Sequence, residues 1–405
     1  MNRIDKNRPD PAWIEDLRRR FPCEREIDRV LTRKLHRRSG PAYSPIAINT
    51  LVQGIDALLR KNSVTDFRIS DPRWLSGGAS KIQMAFALEW DAPDVGRTST
   101  DLVLRMEPPE SIVETSRLRE FQIIKAFTGR IPVPPTYWVD PDGECLPHPA
   151  IVYGFAQGVT KPSNATSGVS GLATNLGPTL RPLLGPQFVE HLAAIHCFDW
   201  RSADIDAFDK PTHPTQTVEW QLNWWERLWN EDANEDVPLM RLAMAWMRSN
   251  MPAVDHVSMI HGDYRTGNFL FTEEDNRISA WLDWELAHLG DRHEDLAYAT
   301  NVACGHLAED GKTFLISGLM SEAEFYAAYE RSSGLSVDAR RLAFYRIFNA
   351  YKAVVITLAT GYRIARNAKT HQDILIAWLM GVSGPLLEQL RDALDRAINA
   401  PDDPV

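Results

Sequence analysis

The spacing of apolar residues divides the chain into an earlier part with strand-like alternation and a later part with helical stripes. Apolar side chains alternate with less apolar ones over residues 82–88, and 101–106 and 150–158 are further apolar runs of strand length. Beyond residue 188 the apolar positions recur every three or four residues, as they do over 375–390. The pattern therefore predicts an α+β protein in which most strands precede most helices.

One hairpin interrupts the helical part and carries the most informative polar residues. Residues 269–271 and 278–282 indicate two strands around a polar turn, and the second strand ends at Asp283. A turn centred between Asp275 and Asn276 places Asn268 opposite Asp283, with Asp263 on the loop before them. Three oxygen donors at one end of a hairpin suit a hard cation that carries phosphates, and a spare carboxylate can accept a proton from a hydroxyl.

The same stretch contains an ordered set of short motifs. Residues 261–263 are His-Gly-Asp, Asn268 follows after four intervening residues, and Leu-Asp-Trp-Glu, Gly-Asp and Glu-Asp-Leu-Ala occur at 282–285, 290–291 and 294–297. In this order the motifs resemble those of the aminoglycoside phosphotransferase and choline kinase family, small-molecule relatives of the protein kinases. The resemblance implies a bilobal, protein-kinase-like fold: a small N-lobe with an antiparallel sheet plus a helix, and a larger, mainly helical C-lobe.

The resemblance also implies a division into domains. It predicts an N-terminal polar extension at 1–43, a nucleotide-binding N-lobe at 44–156, and a C-lobe at 157–405 that holds the catalytic loop, the metal site and the acceptor site. The extension contains arginine runs at 18–20 and 37–38 and lies outside the family pattern. Such short basic runs are typical of a solvated helix face, so no role is predicted for them.

The hairpin residues acquire specific roles from the resemblance. Asp263 is expected to orient the acceptor hydroxyl and take its proton, whereas Asn268 and Asp283 are expected to hold Mg²⁺. Asp295 is expected to brace the catalytic loop through its backbone. His261 is interpreted as a packing or hydrogen-bonding residue. Arg265 either contacts a phosphate or pairs with a nearby acid such as Asp291.

Residues of the N-lobe are implied to bind ATP. Ser76, Gly77 and Gly78 precede a strand and correspond to a glycine loop, in which the absence of a Cβ lets the backbone approach a phosphate. A plain hairpin turn explains the same residues. Arg105 stands where protein kinases carry the strand lysine, and Glu120 is the candidate partner for its charge. A solvent-facing role for Glu120 remains the alternative.

Three further segments have weaker interpretations. Tyr153, Gly154 and Phe155 would form the hinge whose backbone meets the adenine edge. The Ser- and Gly-rich segment 163–177 is either a cover for the cleft or a surface insertion. Four tryptophans within 220–229 could form an aromatic wall for a substrate, although their helical spacing favours core packing.

Composition restricts the class of protein. The chain has 405 residues, 44% of them hydrophobic and 24% charged, as in ordinary globular proteins of two lobes or domains. Its net charge of −10 argues against a nucleic-acid partner. Four scattered cysteines favour neither a disulfide framework nor a zinc site. With no signal-peptide pattern and no membrane-length apolar run in view, a cytoplasmic protein without a membrane partner is expected.

These observations favour an ATP- and Mg²⁺-dependent phosphotransferase that acts on a hydroxyl of a small molecule. The acceptor stays open among an amino alcohol, an aminoglycoside-like compound, a hydroxyacyl-CoA and another alcohol. Two other classes use the same residues: a catalytically inactive nucleotide-binding module and a metal-dependent phosphohydrolase. Loss of Asp263, Asn268 or Asp283 would favour the inactive module, and all three are present.

Overall fold

The computed structural model describes residues 5–75, 80–163 and 173–399. The helices are α1 (Pro11–Arg20), α2 (Arg25–Arg37), α3 (Ile48–Lys61), α4 (Arg117–Phe127), α5 (Gly177–His196), α6 (Gln216–Asp232), α7 (Pro238–Ser249), α8 (His293–Ala299), α9 (Glu322–Ser333), α10 (Ala339–Val354), α11 (Tyr362–Arg366), α12 (Asp373–Met380) and α13 (Ser383–Asn399). The strands are β1 (Phe67–Trp74), β2 (Ile82–Ala92), β3 (Gly96–Met106), β4 (Thr136–Asp140), β5 (Ala150–Gly154), β6 (Val257–Ile260), β7 (Phe269–Thr272), β8 (Arg277–Trp281), β9 (His288–Asp291), β10 (His306–Leu307) and β11 (Phe314–Leu315).

The first lobe is built on one antiparallel sheet with strand order β1-β2-β3-β5-β4. Successive side chains of β3 point to opposite faces of this sheet. Leu102, Leu104 and Met106 pack with helix α3, whereas Val103 belongs to the core that includes α4. The same alternation puts Arg105 on the face of Val103, towards α4. The predicted sheet and helix of the small lobe are confirmed, and α3 covers the sheet's other face.

The second lobe is mainly helical, as predicted, and three two-stranded antiparallel pairs lie within its described residues, β6–β9, β7–β8 and β10–β11. Trp224 and Trp225 of α6 are buried and stacked on each other at a centroid distance of 5.5 Å. Their position supports core packing over a substrate wall. All four cysteines are free thiols.

One long helix qualifies the sequence-based expectation about membrane-length segments. The continuous helix Ala339–Arg366 has 28 residues, and its most apolar window has a mean hydropathy of 1.3. By length and composition alone such a helix could cross a membrane, so the expectation that no apolar run reaches membrane length is wrong. However, 72% of that window is buried inside the fold, as in the core helix of a globular protein. Its middle, Val355–Gly361, winds as a π-helix.

The N-terminal residues form part of the fold rather than a solvated tail. Helix α1 buries Trp13, Ile14 and Leu17, and helix α2 buries Val30 and Leu31. The expectation of a solvated basic face holds for the exposed arginines 18–20. The expectation is wrong for Arg38. Its side chain is buried, and an acid of α6 pairs with its guanidinium.

Candidate active site

The loop that follows β6 is held by a carboxylate from α8. The backbone N–H groups of His261 and Gly262 donate to Asp295 over 2.7 and 2.8 Å. Gly262 has a φ of +83°, and a Cβ there would lie 2.8 Å from the side chain of Leu286, so only glycine fits without strain. His261 donates from Nε2 to the carbonyl of Leu282 over 3.1 Å. The predicted bracing by Asp295 and the structural position of His261 are both confirmed.

A histidine that the sequence analysis left without a role supports this brace. His196 Nε2 lies 3.2 Å from Asp295, and its Nδ1 lies 2.8 Å from the hydroxyl of Tyr329. Burial lowers the pKa of His196, so the ring is neutral and donates to Asp295 from Nε2. Its sequence signal was faint, since a lone histidine at the end of an apolar helix stripe usually packs in a core.

Asp263 is surrounded by hydrogen-bond donors. Arg265 Nε lies 2.9 Å from its Oδ1, and Asn268 Nδ2 lies 2.6 Å from its Oδ2. Burial alone would raise the pKa of Asp263, but the charge of Arg265 and hydrogen bonds from Tyr298, Arg265 and Asn268 outweigh it and hold this pKa below its ordinary value. The carboxylate is therefore ionised and oriented. Arg265 thus pairs with an acid, as one of the two predictions for it proposed, and that acid is Asp263.

The hairpin register differs by one residue from the prediction. Phe269 pairs with Trp281 and Leu270 with Ala280, but Phe271 pairs with Ile278, so Ser279 forms a β-bulge. Next to the turn Thr272 pairs with Arg277, so the turn is centred one residue earlier than predicted, and the bulge offsets only half of the resulting shift. Asn268 therefore lies opposite Leu282, whose N–H donates to the Asn268 carbonyl over 2.8 Å. The prediction that Asn268 lies opposite Asp283 is therefore wrong. The Ser279 hydroxyl donates to the carbonyl of Gln157, which explains why the extra residue is accommodated there.

Asp283 leaves the hairpin in an unusual conformation and contacts the first lobe. Its φ of 64° lies in the left-handed region, which a residue other than glycine adopts only at some cost. The strained backbone directs the carboxylate to Arg105, and the two side chains form an ion pair. The side chain of Asp283 is 31% exposed. It is thus joined to the first lobe and still accessible to a ligand.

Arg105 is the centre of a buried group of charges. Its guanidinium lies 3.2 Å from Glu120 of α4, so the predicted ion pair forms, and 3.5 Å from Glu285. Burial would lower the pKa of Arg105, but Asp283, Glu120 and Glu285 raise it well above its ordinary value. The guanidinium therefore carries its charge in the buried site. Its contact with nucleotide phosphates remains a prediction.

Two further cations share these acids and were missed by the sequence analysis. Lys81 Nζ lies 2.7 Å from Glu285 and 3.0 Å from Glu107, and Arg117 Nε lies 2.9 Å from Glu107. Burial favours neutral Glu285, but Lys81, Arg105 and Arg117 hold its pKa far below the ordinary value. The only sequence signal was a lysine at the start of an apolar strand. The group is called the Arg105 cluster below and consists of Lys81, Arg105, Glu107, Arg117, Glu120 and Glu285.

The predicted hinge joins the two lobes, but part of its backbone is already used. The N–H of Gly154 donates to the carbonyl of Pro135, and that of Phe155 to Asp101, both over 2.8 Å. These two N–H groups are therefore not available to an adenine, and a hinge contact falls to carbonyl groups or later residues. Tyr153 is buried in β5, and burial raises its pKa to about 12.

Two predictions fall on segments that the structure leaves undescribed. The glycine loop predicted at Ser76, Gly77 and Gly78 lies outside the described residues. Most of the segment 163–177 does so as well, because 164–172 is not described. Both remain predictions from the sequence.

The polar groups suit a nucleotide that carries a hard cation. Mg²⁺ takes oxygen ligands and keeps several waters, so one or two protein side chains and phosphate oxygens suffice. Asp283 offers a carboxylate and Asn268 an amide oxygen, since the amide nitrogen of Asn268 already bonds Asp263. Within residues 5–75, 80–163 and 173–399 no group of three or more His, Cys, Asp or Glu is arranged for a metal. Asp283 and Asn268 thus offer oxygen donors of the kind that Mg²⁺ prefers, and a magnesium site at these two residues remains a prediction.

Curated proteins similar to this chain are named as acyl-CoA dehydrogenases. The probable acyl-CoA dehydrogenase IBR3 of Arabidopsis thaliana is 27% identical over 301 residues, which are 69% of this chain and 33% of that protein. Acyl-CoA dehydrogenase family member 11 of Homo sapiens is 26% identical over 67% of this chain and 34% of that protein. The chain thus spans about a third of the length of these relatives.

Solved structures and a family comparison agree on the fold. A candidate aminoglycoside phosphotransferase from Ralstonia eutropha superposes with a TM-score of 0.61 and 22% identity, over 85% of this chain and 98% of that one. Choline kinase LicA from Streptococcus pneumoniae gives a TM-score of 0.51 and 14% identity, over 85% and 99%. The sequence model described as "Phosphotransferase enzyme family" matches residues 85–345, well over half of the chain. The chain therefore belongs to the phosphotransferase enzyme family and has its kinase-like fold.

Proposed function

We propose that this protein is an ATP- and Mg²⁺-dependent kinase that moves the γ-phosphate of ATP to a hydroxyl of a small molecule. The observation that carries the proposal is the position of Arg105, whose guanidinium contacts both Glu120 and Asp283. The strand cation thus lies beside the acid that would hold the metal, where the charge of a phosphate chain must be neutralised. The structure of the similar protein LicA in complex with AMP supports a nucleotide as the donor.

The residues of the loop would act on the acceptor. Asp263 would accept a hydrogen bond from the acceptor hydroxyl and receive its proton as the oxygen–phosphorus bond forms. Since its pKa lies below the ordinary value, Asp263 is a weak base, and its main contribution is to orient the hydroxyl. Asn268 and Asp283 would hold Mg²⁺, which would neutralise phosphate charge when bound.

Among possible acceptors we favour a hydroxyacyl-CoA thioester over an aminoglycoside. The names of the curated relatives support this choice, because those proteins are named for acyl-CoA chemistry and contain a region similar to this chain. The structural neighbours named for aminoglycosides or choline share the fold at 22% identity or less, which says nothing about the acceptor. Other alcohols remain outcomes of the test.

The test is an acceptor panel with purified protein, ATP and Mg²⁺. The panel contains hydroxyacyl-CoA thioesters that differ in chain length and hydroxyl position, together with choline and an aminoglycoside, and mass spectrometry detects the gain of a phosphoryl group. Asp263→Asn serves as the inactive variant, and Asp204→Asn, an exposed acid of the same lobe, is the matched control.

Each outcome separates the proposal from its two alternatives. A phosphorylated product that requires Asp263 supports the kinase, and its identity settles the acceptor. ATP hydrolysis at the same rate with and without every alcohol contradicts the kinase and supports a phosphohydrolase. Nucleotide binding without any turnover supports an inactive binding module.

A further inference from the structure

Helix α2 lies outside the family match yet is built into the core around α4. The family match begins at residue 85, and α2 spans Arg25–Arg37. Ile27 and Leu31 of α2 are buried in the hydrophobic core that also contains Ile123 and Phe127 of α4. A segment that merely extended the chain would not contribute to this core.

Helix α2 is anchored to α6 of the second lobe by charged side chains near both of its ends. Lys34 Nζ lies 2.7 Å from Glu231 and 3.1 Å from Asp232. Near the start of α2, Asp28 accepts a hydrogen bond from Arg227 of α6 over 2.6 Å. The side chains of Lys34, Glu231, Asp232 and Arg227 are at most 3% exposed. Buried pairs with several hydrogen bonds hold their geometry more tightly than exposed pairs do.

The beginning of α2 contacts the first turn of α4. Glu24, just before α2, lies 3.0 Å from Arg119, and both side chains are 3% exposed. Glu26 accepts a hydrogen bond from the hydroxyl of Ser116. Ser116 is the N-cap of α4, since its side chain accepts from the N–H of Arg119. Arg119 also donates to the carbonyl of Ala287 over 3.2 Å. The two acids therefore contact the N-cap and the first turn of α4.

We infer that α2 positions α4, and through α4 the pair between Glu120 and Arg105, so that the first 40 residues are required for nucleotide binding. Glu120 directly follows Arg119 in the first turn of α4, so a displacement of that turn moves its carboxylate. The Glu120–Arg105 separation is 3.2 Å, and a shift of about 1 Å takes such a pair out of hydrogen-bond range. Glu24 and Glu26 are thus positioning residues and touch no substrate.

The inference rests on the proposed function, because it concerns a site for ATP. The test measures the affinity of the folded full-length protein for the fluorescent analogue TNP-ATP with Mg²⁺, together with the thermal unfolding temperature. The variants are Glu24→Gln, Glu120→Gln and the double variant. Asp142→Asn is the matched control, since Asp142 pairs with Arg29 and Arg33 of the same helix but lies on the loop between β4 and β5.

Glu24→Gln is expected to weaken TNP-ATP binding about tenfold, within the range of coupling between residues in contact. In the Glu120→Gln background the same change is expected to have no further effect, because Glu24 acts through Glu120. Asp142→Asn should bind as the wild type does. If Glu24→Gln does not fold, Arg119→Gln removes the same ion pair from the side of α4.

The outcomes distinguish this inference from the proposed function. A Glu24→Gln protein that unfolds at a lower temperature but binds TNP-ATP normally shows a purely structural role and overturns the inference. Additive losses in the double variant, or an equal loss in Asp142→Asn, also overturn it. A wild-type protein that binds no TNP-ATP contradicts the proposed function itself, and the inference fails with it.

Discussion

The catalytic loop and the Arg105 cluster lie at the same site but are held in different ways. The loop is positioned mainly by hydrogen bonds between side chains and backbone, such as those from His261 and Gly262 to Asp295. The cluster is held by pairs between buried charged side chains, three cations with three acids. Hydrogen bonds to the backbone fix a loop locally, whereas each buried charge depends on all the others. Function should therefore be most sensitive in the loop and stability most sensitive in the cluster.

The largest effect is expected at Asp283, where the two regions meet. Asp283→Ala removes both one of the acidic partners of Arg105 and a predicted metal ligand, so Mg²⁺-dependent nucleotide binding should be lost. Calorimetric titration with ATP, with and without Mg²⁺, measures this. Asp275→Ala, at the turn of the same hairpin, should bind normally. Unchanged metal dependence in the Asp283 variant would remove this residue from the metal site.

A large loss of stability is expected in the cluster. Lys81→Met leaves Glu285 and Glu107 with fewer partners, and breaking a buried pair in this way costs about 3–5 kcal/mol of the free energy of unfolding. Urea denaturation of the two proteins gives the difference. Lys61→Met removes an exposed lysine paired with Glu144 and should leave stability close to that of the wild type. Equal stability of the Lys81 variant would contradict the dependence of the cluster on each charge.

A loss of rate that exceeds the loss of stability is expected in the loop. Asp263→Asn should lower the phosphoryl-transfer rate at least ~100-fold, as expected for removal of a positioned base. The unfolding temperature should fall less than in the Lys81 variant, because the amide has nearly the same shape and only the charge that pairs with the partly exposed Arg265 is lost. Steady-state kinetics with the acceptor that the panel identifies measures this rate, and Asp204→Asn is the control. A rate near that of the wild type would exclude Asp263 from the reaction.

The smallest effect concerns the pH dependence of stability, which we assign to Glu294, the buried acid next to Asp295 in α8. Glu294 lies 2.7 Å from Lys352 and 3.1 Å from His288. Burial would raise the pKa of Glu294, but Lys352 and His288 lower it to about 2. Because the folded pKa is lowered, this stabilisation is complete above about pH 4.5, the ordinary value, and is lost as pH falls towards 2.

Glu294→Gln should remove this pH dependence. The free energy of unfolding of the variant should fall less steeply with acid in that window, by up to about 1.4 kcal/mol per pH unit. Denaturation at a series of pH values provides the comparison. Glu274→Gln, an exposed acid in the hairpin turn, should follow the wild-type curve. Parallel curves for wild type and the Glu294 variant would contradict the lowered pKa.

The hairpin shows where prediction from sequence stops. Its two strands, its turn and its polar ends were predicted, because alternation of side chains is a local property. Its register at the open end was wrong by one residue, because the turn is centred one residue earlier than predicted. The bulge at Ser279, whose hydroxyl donates to the distant carbonyl of Gln157, offsets only part of that shift. A local pattern does not contain that contact.

The sequence by itself predicted a strand-rich part before a helical part, the family resemblance, and Asp263, Asn268, Asp283, Arg105 and Glu120 as candidate site residues. These depend on periodicity and on short motifs, whose members are close along the chain. Only the tertiary structure placed Lys81 and Arg117 beside Arg105, His196 behind Asp295, and helix α2 against α4. Each of those contacts joins different elements of the fold. Buried charges pair with whichever opposite charges lie close in space, and the spacing of residues along the chain does not predict that proximity.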